Sequence, residues 1–298
     1  MPSRKTTTRA RETAPRAAVT KPATRPATKP VTKPATRPKA LLPLAPAKRI
    51  RGTASSRKVL QVLTTFTPDR PIVTVDAIAR SVKVPLSTAY RYIALLREVG
   101  LVTDDGHGGY HLSPRMVELA RASRAAFSFI DVALPVMEKL RDASGETVIL
   151  VRRVGDAAIC IERVESVQRV RLSFEVGASF PLHRGASPKL LLAYMVDRER
   201  NEYLARARKI DSDLRRRPGP FTEELATIAH QGWSQSIEEI TPDIWAAAAP
   251  VVEGSRLAAA LSVAGPAFRL TERQRSRLIA LTRRAADEIS EQLVAIGR

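Results

Sequence analysis

The sequence predicts an α+β protein in which two folded domains follow a disordered basic tail. Three observations predict it: a proline and cation repeat near the N-terminus, three short amphipathic helices closed by a glycine-rich hairpin, and a longer stretch where β-branched apolar runs alternate with helical stripes. With 298 residues and 44% apolar content, the chain can build two cores.

Residues 1–51 hold fourteen Lys or Arg against the single Glu12, a net +13 of the chain's +19. From Thr20 to Pro38 a tetrapeptide places Lys21, Arg25, Lys29, Lys33 and Arg37 four apart, each followed by proline. Proline forbids helix and little apolar surface is available to bury, so the segment is expected to be disordered and partly polyproline-like. At about 3.1 Å per residue a cation recurs every ~12 Å, a spacing suited to phosphates on a long polyanion and unsuited to reading base edges. The tail reads either as a source of sequence-independent affinity or as a solubilising extension. A transit peptide fits less well, because such peptides favour amphipathic Arg and Ser patterns.

The sequence pI near 10.9 points to nucleic acid or an anionic membrane as partner. Cys160 is the only cysteine, which excludes an intramolecular disulfide and a zinc site of paired thiolates, and suits a reducing compartment. No run approaches 18 apolar residues, and the charged N-terminus leads into Thr, Pro and Ala rather than a signal-peptide core. The expectation is a cytoplasmic, nucleoid-associated protein with no membrane partner and no cofactor.

Residues 52–113 carry the helical region. Ser55 or Ser56 can cap a first helix whose stripe is Val59, Leu60, Leu63 and Phe66, ended by Pro68. Thr74 caps a second, with Asp76 in its first turn and Val75, Ile78, Ala79 and Val82 on one face. After Lys83-Val84-Pro85 a third helix runs from Leu86 to about Val99, with Gly100 in the left-handed stop position. Two helices joined by a three-residue turn suggest helix-turn-helix. On the third, Ala89, Ile93 and Leu96 point inward, leaving Ser87, Thr88 and Arg91 outward and Tyr90 on the edge. Short hydroxyls at a helix start, with Arg one turn on, suit major-groove reading, although any solvated helix shows such residues. Leu101-Val102, a turn over 104–109 and Tyr110–Leu112 then read as a hairpin wing.

These elements resemble the IclR family. Ala77-Ile78-Ala79, Pro85-Leu86-Ser87-Thr88-Ala89-Tyr90-Arg91, Gly100-Leu101-Val102 and Tyr110-His111-Leu112-Ser113 each match its N-terminal pattern. The resemblance implies a winged helix-turn-helix reading operator duplex through Ser87, Thr88, Tyr90 and Arg91, in a homodimer or a dimer of dimers. It covers the chain from about Ser55 to the C-terminus.

Residues 114–128 form a predicted linker helix with Met116, Leu119, Ala120 and Ser123 on one side, suited to a dimer contact or to packing within the chain. Residues 129–298 read as the second domain. A helix over 130–143 precedes apolar runs at Val148–Val154, Ala157–Val164 and Val170–Phe174. Helices at 188–196, 198–208 and 223–230, a strand at Ala258–Val263 and a last helix from about Thr271 to Ile296 follow. The resemblance makes this a GAF-like antiparallel-sheet domain with flanking helices that binds a small organic acid.

The segment Pro181-Leu182-His183-Arg184-Gly185-Ala186-Ser187-Pro188-Lys189 is the family's most recognisable here. Small residues opening a helix present free amides suited to a carboxylate, which marks Ala186 and Ser187. Carried over from the family, Leu172 and Ile244 match apolar walls, Ser236 stands where an acid is frequent, and Ala246 where cysteine occurs. Ser262 and Ala264 match a pair often both serine. The pocket is therefore expected to be more apolar than one tuned to two- or three-carbon acids, and to take a larger, aromatic carboxylate. The same residues also fit a domain that binds nothing.

A hydrolase finds no support, since no Gly-x-Ser-x-Gly elbow exists and His183 lies four residues from Ser187 in a turn. The remaining alternative is an architectural DNA-binding protein driven by its tail, with no effector.

Overall fold

A computed structural model describes residues 53–125, 128–172 and 174–296. The basic tail lies outside them.

Helices α1 (Ala54–Leu63), α2 (Val75–Val82) and α3 (Leu86–Glu98) pack around one small core. The first begins after Thr53 rather than at a serine cap, and Leu60 is exposed while Val62 is buried. Leu60 was expected in the stripe, but spacing by three from Val59 to Val62 follows the helix turn better. Thr74 caps α2 as expected, its hydroxyl oxygen accepting the Ala77 amide at 3.4 Å. Lys83 closes α2 in the left-handed conformation, φ 56°. Ala89, Ile93 and Leu96 are the buried face of α3. Each of the two large side chains contributes about 1.5–3 kcal/mol by burial.

Strands β2 (Val102–Asp104) and β3 (Gly109–Leu112) form the wing, and β1 (Val73–Thr74), unforeseen in the sequence, adds to β3's other edge. Asp105 builds the turn: its carboxylate accepts the His107 and Gly109 amides, both at 2.8 Å. Those bonds hold its pKa below the usual carboxylate range. A side chain at Gly109 would stand 2.4 Å from that carboxylate, so only glycine fits.

Helix α4 (Arg115–Ala125) follows, with Val117 and Leu119 exposed. Beyond it lie α5 (Ser128–Ser144), β4 (Thr147–Val154), β5 (Ala157–Val164), β6 (Ser179–Pro181), α6 (Ala186–Ala193), α7 (Asp197–Ile210), α8 (Ser212–Arg216) and α9 (Pro218–Gln231). Then come β7 (Ser234–Ile237), β8 (Ile244–Glu253), β9 (Arg256–Pro266) and α10 (Glu272–Ile296). The six strands make one antiparallel sheet in the order β6-β5-β4-β9-β8-β7.

The run from Val170 to Phe174, expected as a strand, is not one at its described positions. Its carbonyls serve side chains instead: the Thr147 hydroxyl donates to Leu172 at 2.9 Å and the Arg269 guanidinium to Val170 at 2.8 Å. The strand beside β5 is β6.

Period-two alternation sorts the sheet's faces. Val148 and Leu150, with Ala249 and Leu261, pack in one core with α5 and α10. Ile149 and Val151, with Ala248 and Ala260, pack in the other with α6, α7 and α9. The buried Cys160 joins this second core, where burial pushes its thiol up to about 11, so it behaves as a small apolar residue.

Candidate functional site

Ser87, Thr88, Tyr90 and Arg91 all lie on the first turns of α3, opposite its buried face. Ser87, Tyr90 and Arg91 are exposed and Thr88 is half-buried. Pro85 supplies the first carbonyl, which accepts the Thr88 and Ala89 amides at 3.0 Å, so the hydroxyl side chains are not consumed as caps. At the far end Arg97 pairs with Asp104 of β2 at 2.9 Å, an exposed contact that ties α3 to the wing.

The second candidate lies between the sheet and the start of α6. Here β8 and β9 turn small residues inward: Ala246 sits opposite Ala264, and Ala248 opposite Ser262. Ser236 continues the first row across β7, opposite Ala246. Missing side-chain volume leaves a hollow of about 450 Å³ including its mouth. Seven expected residues line it: Ala186, Ser187, Ser236, Ile244, Ala246, Ser262 and Ala264. Leu172 does not; it is buried in the segment held by Thr147. The apolar wall is completed by Ile149 and Val151 from β4 and by Phe174 and Phe180, whose rings meet edge to face at 5.6 Å. Strand alternation could have revealed Ile149 and Val151. Nothing in the sequence marked Glu239, Ile240 and Thr241, which close the hollow from the loop before β8.

Two hydroxyls stand out. Ser187 and Ser262 are 3% and 1% exposed, and their Oγ atoms have no hydrogen-bond partner among the described residues. Buried polar groups are almost always paired, and an unpaired one costs about 1–3 kcal/mol. Both line the same hollow.

Two amides at the start of α6, expected to be free, are engaged. The Ala186 N–H donates to Ser236 Oγ at 3.1 Å and the Gly185 N–H to Glu239 Oε2 at 2.8 Å. Ser234 Oγ donates to the Ala186 carbonyl at 2.7 Å, so β7 clamps the helix start from both sides. Gly185 has φ 90°, and a Cβ there would lie 2.3 Å from Ile240, so this position requires glycine twice over. Pro188 sits within the first helical turn, where no intrahelical partner for its missing N–H exists.

Beside the hollow lies a buried polar network. Asp211 is held below the usual carboxylate range: burial pushes it up, but the Arg184 guanidinium, the Leu214 amide and His183 outweigh burial. With Asp211 ionised, His183 Nε2–H donates to it at 3.1 Å, and the Tyr203 hydroxyl donates to Nδ1 at 2.6 Å. His183 is thus a satisfied packing residue, and it makes no hydrogen bond to the Ser187 hydroxyl.

A winged helix-turn-helix followed by a sheet domain with such a hollow defines a transcriptional regulator with a C-terminal domain of effector-binding type. The chain belongs to the IclR family. The family's helix-turn-helix domain matches residues 55–106, and the C-terminal domain of bacterial IclR transcriptional regulators matches residues 125–291. Among curated relatives, the HTH-type transcriptional regulator KipR of Bacillus subtilis is 28% identical over 227 residues, covering 75% of this chain and 91% of that protein. The Pca regulon regulatory protein of Pseudomonas putida is 25% identical over 266 residues, covering 84% and 89%. A crystal structure of an IclR homolog from Microbacterium hydrocarbonoxydans complexed with 4-hydroxybenzoate matches with a TM-score of 0.64 and 26% identity. That match covers 81% of this chain and 99% of that one. An IclR-family regulator from Brucella abortus shares the fold with a TM-score of 0.70 at 23% identity, over 80% and 92% of the two chains.

Proposed function

We propose that this regulator reads a duplex operator through α3 and responds to a small aromatic carboxylate held in the hollow. The pair of buried, unpartnered hydroxyls at Ser187 and Ser262 carries the second half of that reading. An apolar cavity with a few convergent polar groups is how small-molecule sites are built, and a ligand there would supply the partners that these two hydroxyls lack. The crossed rings of Phe174 and Phe180 favour a flat aromatic body. The relative crystallised with 4-hydroxybenzoate supports the same class.

For the first half, Arg91 reaches guanine with two parallel hydrogen bonds while Ser87 and Thr88 meet base edges or phosphates, and Tyr90 flanks them. The apolar Val117 and Leu119, uncovered on α4 within one chain, support a homodimer or a dimer of dimers through the linker. No described helix is long and apolar enough to cross a membrane, and a cytoplasmic, nucleoid-associated protein fits a DNA-reading role.

Thermal shift against a panel of acids tests the effector: stabilisation by aromatic acids is expected, and stabilisation by pyruvate or glyoxylate alone would overturn it. Sequencing DNA fragments selected with and without residues 1–51 tests the reading. One recurring operator in both sets is expected; random fragments would favour an architectural protein driven by its tail.

A further inference from the structure

Glu239 is the one acidic residue lining the hollow, and its carboxylate is fully engaged. One oxygen accepts the Gly185 N–H at 2.8 Å and the other the Lys189 ammonium at 2.5 Å. Lys189 is 3% exposed at its side chain and also donates to Glu224 at 2.5 Å, so two carboxylates already share one buried cation. A ligand carboxylate brought beside them would add a third and meet repulsion for as long as Glu239 stays.

Glu239 also lines a second, polar cavity of about 690 Å³ including its mouth on its other side. Arg217 lines that cavity and has no ion-pair partner among the described residues. The loop bearing Glu239 is bounded by two non-glycine residues with positive φ, Glu238 at 57° and Asp243 at 61°. Such positions are where a loop absorbs a change of direction. A site on an apolar floor, a resident anion and a vacant cation beyond it therefore adjoin.

We propose that the Gly185 N–H and the Lys189 ammonium form an exchangeable carboxylate seat, which the chain's own Glu239 fills in the resting protein. An entering carboxylate takes the seat and turns Glu239 into the polar cavity toward Arg217. The proposal rests on the effector reading above for its ligand, but the seat itself is a property of this chain. Ser187 and Ser262, buried and unpartnered in the same hollow, supply the independent sign that a ligand belongs there. Two consequences follow. Charge on the ligand becomes the trigger, because an uncharged analogue can fill the hollow and leave Glu239 latched. Lys189 joins α6 to α9 through Glu224, so the exchange is felt by both helices.

Chemical rescue tests the seat on the full-length protein. Glu239→Ala removes the resident carboxylate, and sodium acetate is the probe, with sodium chloride of equal strength as control. Acetate at about ten times its Kd should raise the Tm of E239A by about 2–4 °C beyond chloride. The parent and Glu239→Gln, whose seat stays filled, should not respond beyond chloride. If E239A does not fold, Glu239→Asn, too short to reach Gly185, leaves the seat empty with less loss of bulk and is read the same way. An acetate response equal in parent and variant, or absent from the variant, overturns the seat. Rescue of E239A with no aromatic acid binding the parent upholds the seat and removes the effector reading. Aromatic acids binding the parent while E239A ignores acetate do the reverse.

Discussion

At the scale of single residues, the two candidate sites ask for opposite things. Arg91 must be free to reach out, and it is exposed with its helix capped by backbone alone. Arg91→Ala should cost about 1–3 kcal/mol of operator binding and relax preference at one base pair, with random DNA bound nearly as before. Footprinting of one operator unchanged from the parent would remove Arg91 from the reading surface. Ser187 and Ser262 must instead stay hidden. Replacing both with alanine should weaken effector binding by at least tenfold in calorimetry, and unchanged affinity would place the ligand elsewhere. These polar positions were legible because the family pattern carries them position by position. Glu239 was not, because its role arises only when the chain folds it back onto Gly185, fifty-four residues earlier.

At the scale of elements, legibility followed amphipathicity. Helices α2 and α3 bury the stripes their spacing predicts, and the wing forms where Gly106, Gly108 and Gly109 announce a turn. Strand β8 was missed because its middle, Ala246–Ala249 followed by Pro250, is an alanine run with no alternation and low β-propensity between Trp245 and Val251. Its partners β7 and β9 impose the strand from outside. One of those alanines, Ala246, lines the hollow with Ala264 of β9. In the wing, Gly109→Ala should destabilise the helix-turn-helix domain by about 1–3 kcal/mol, since the Asp105 turn cannot make room. A Tm within a degree of the parent would show the turn to be pliable.

At the scale of the whole molecule, charge and stability separate along the chain. Ser55–Ser113 holds seven basic residues against five acidic, so residues 1–51 hold most of the chain's net positive charge. Removing residues 1–51 should flatten the dependence of log K on log salt and leave the preference for one operator intact. An unchanged slope would show that the tail does not touch DNA. Acid should act on the second domain first. Asp211 has its folded pKa lowered, so its stabilisation is present above the ordinary aspartate pKa and is lost as pH falls through the folded value. Asp211→Asn should cost about 2–4 kcal/mol at neutral pH and shrink the parent's advantage in strong acid, read by denaturant melts across pH. A gap constant with pH would mean the ion pair with Arg184 contributes little. The buried, unpartnered hydroxyls of Ser187 and Ser262 set one more boundary, this time on descent. Each leaves the resting protein short of the stability its fold could reach. On the proposed reading, a lineage bred for heat tolerance alone would trade both serines for alanine, keeping its shape and its grip on DNA while losing its response to the effector.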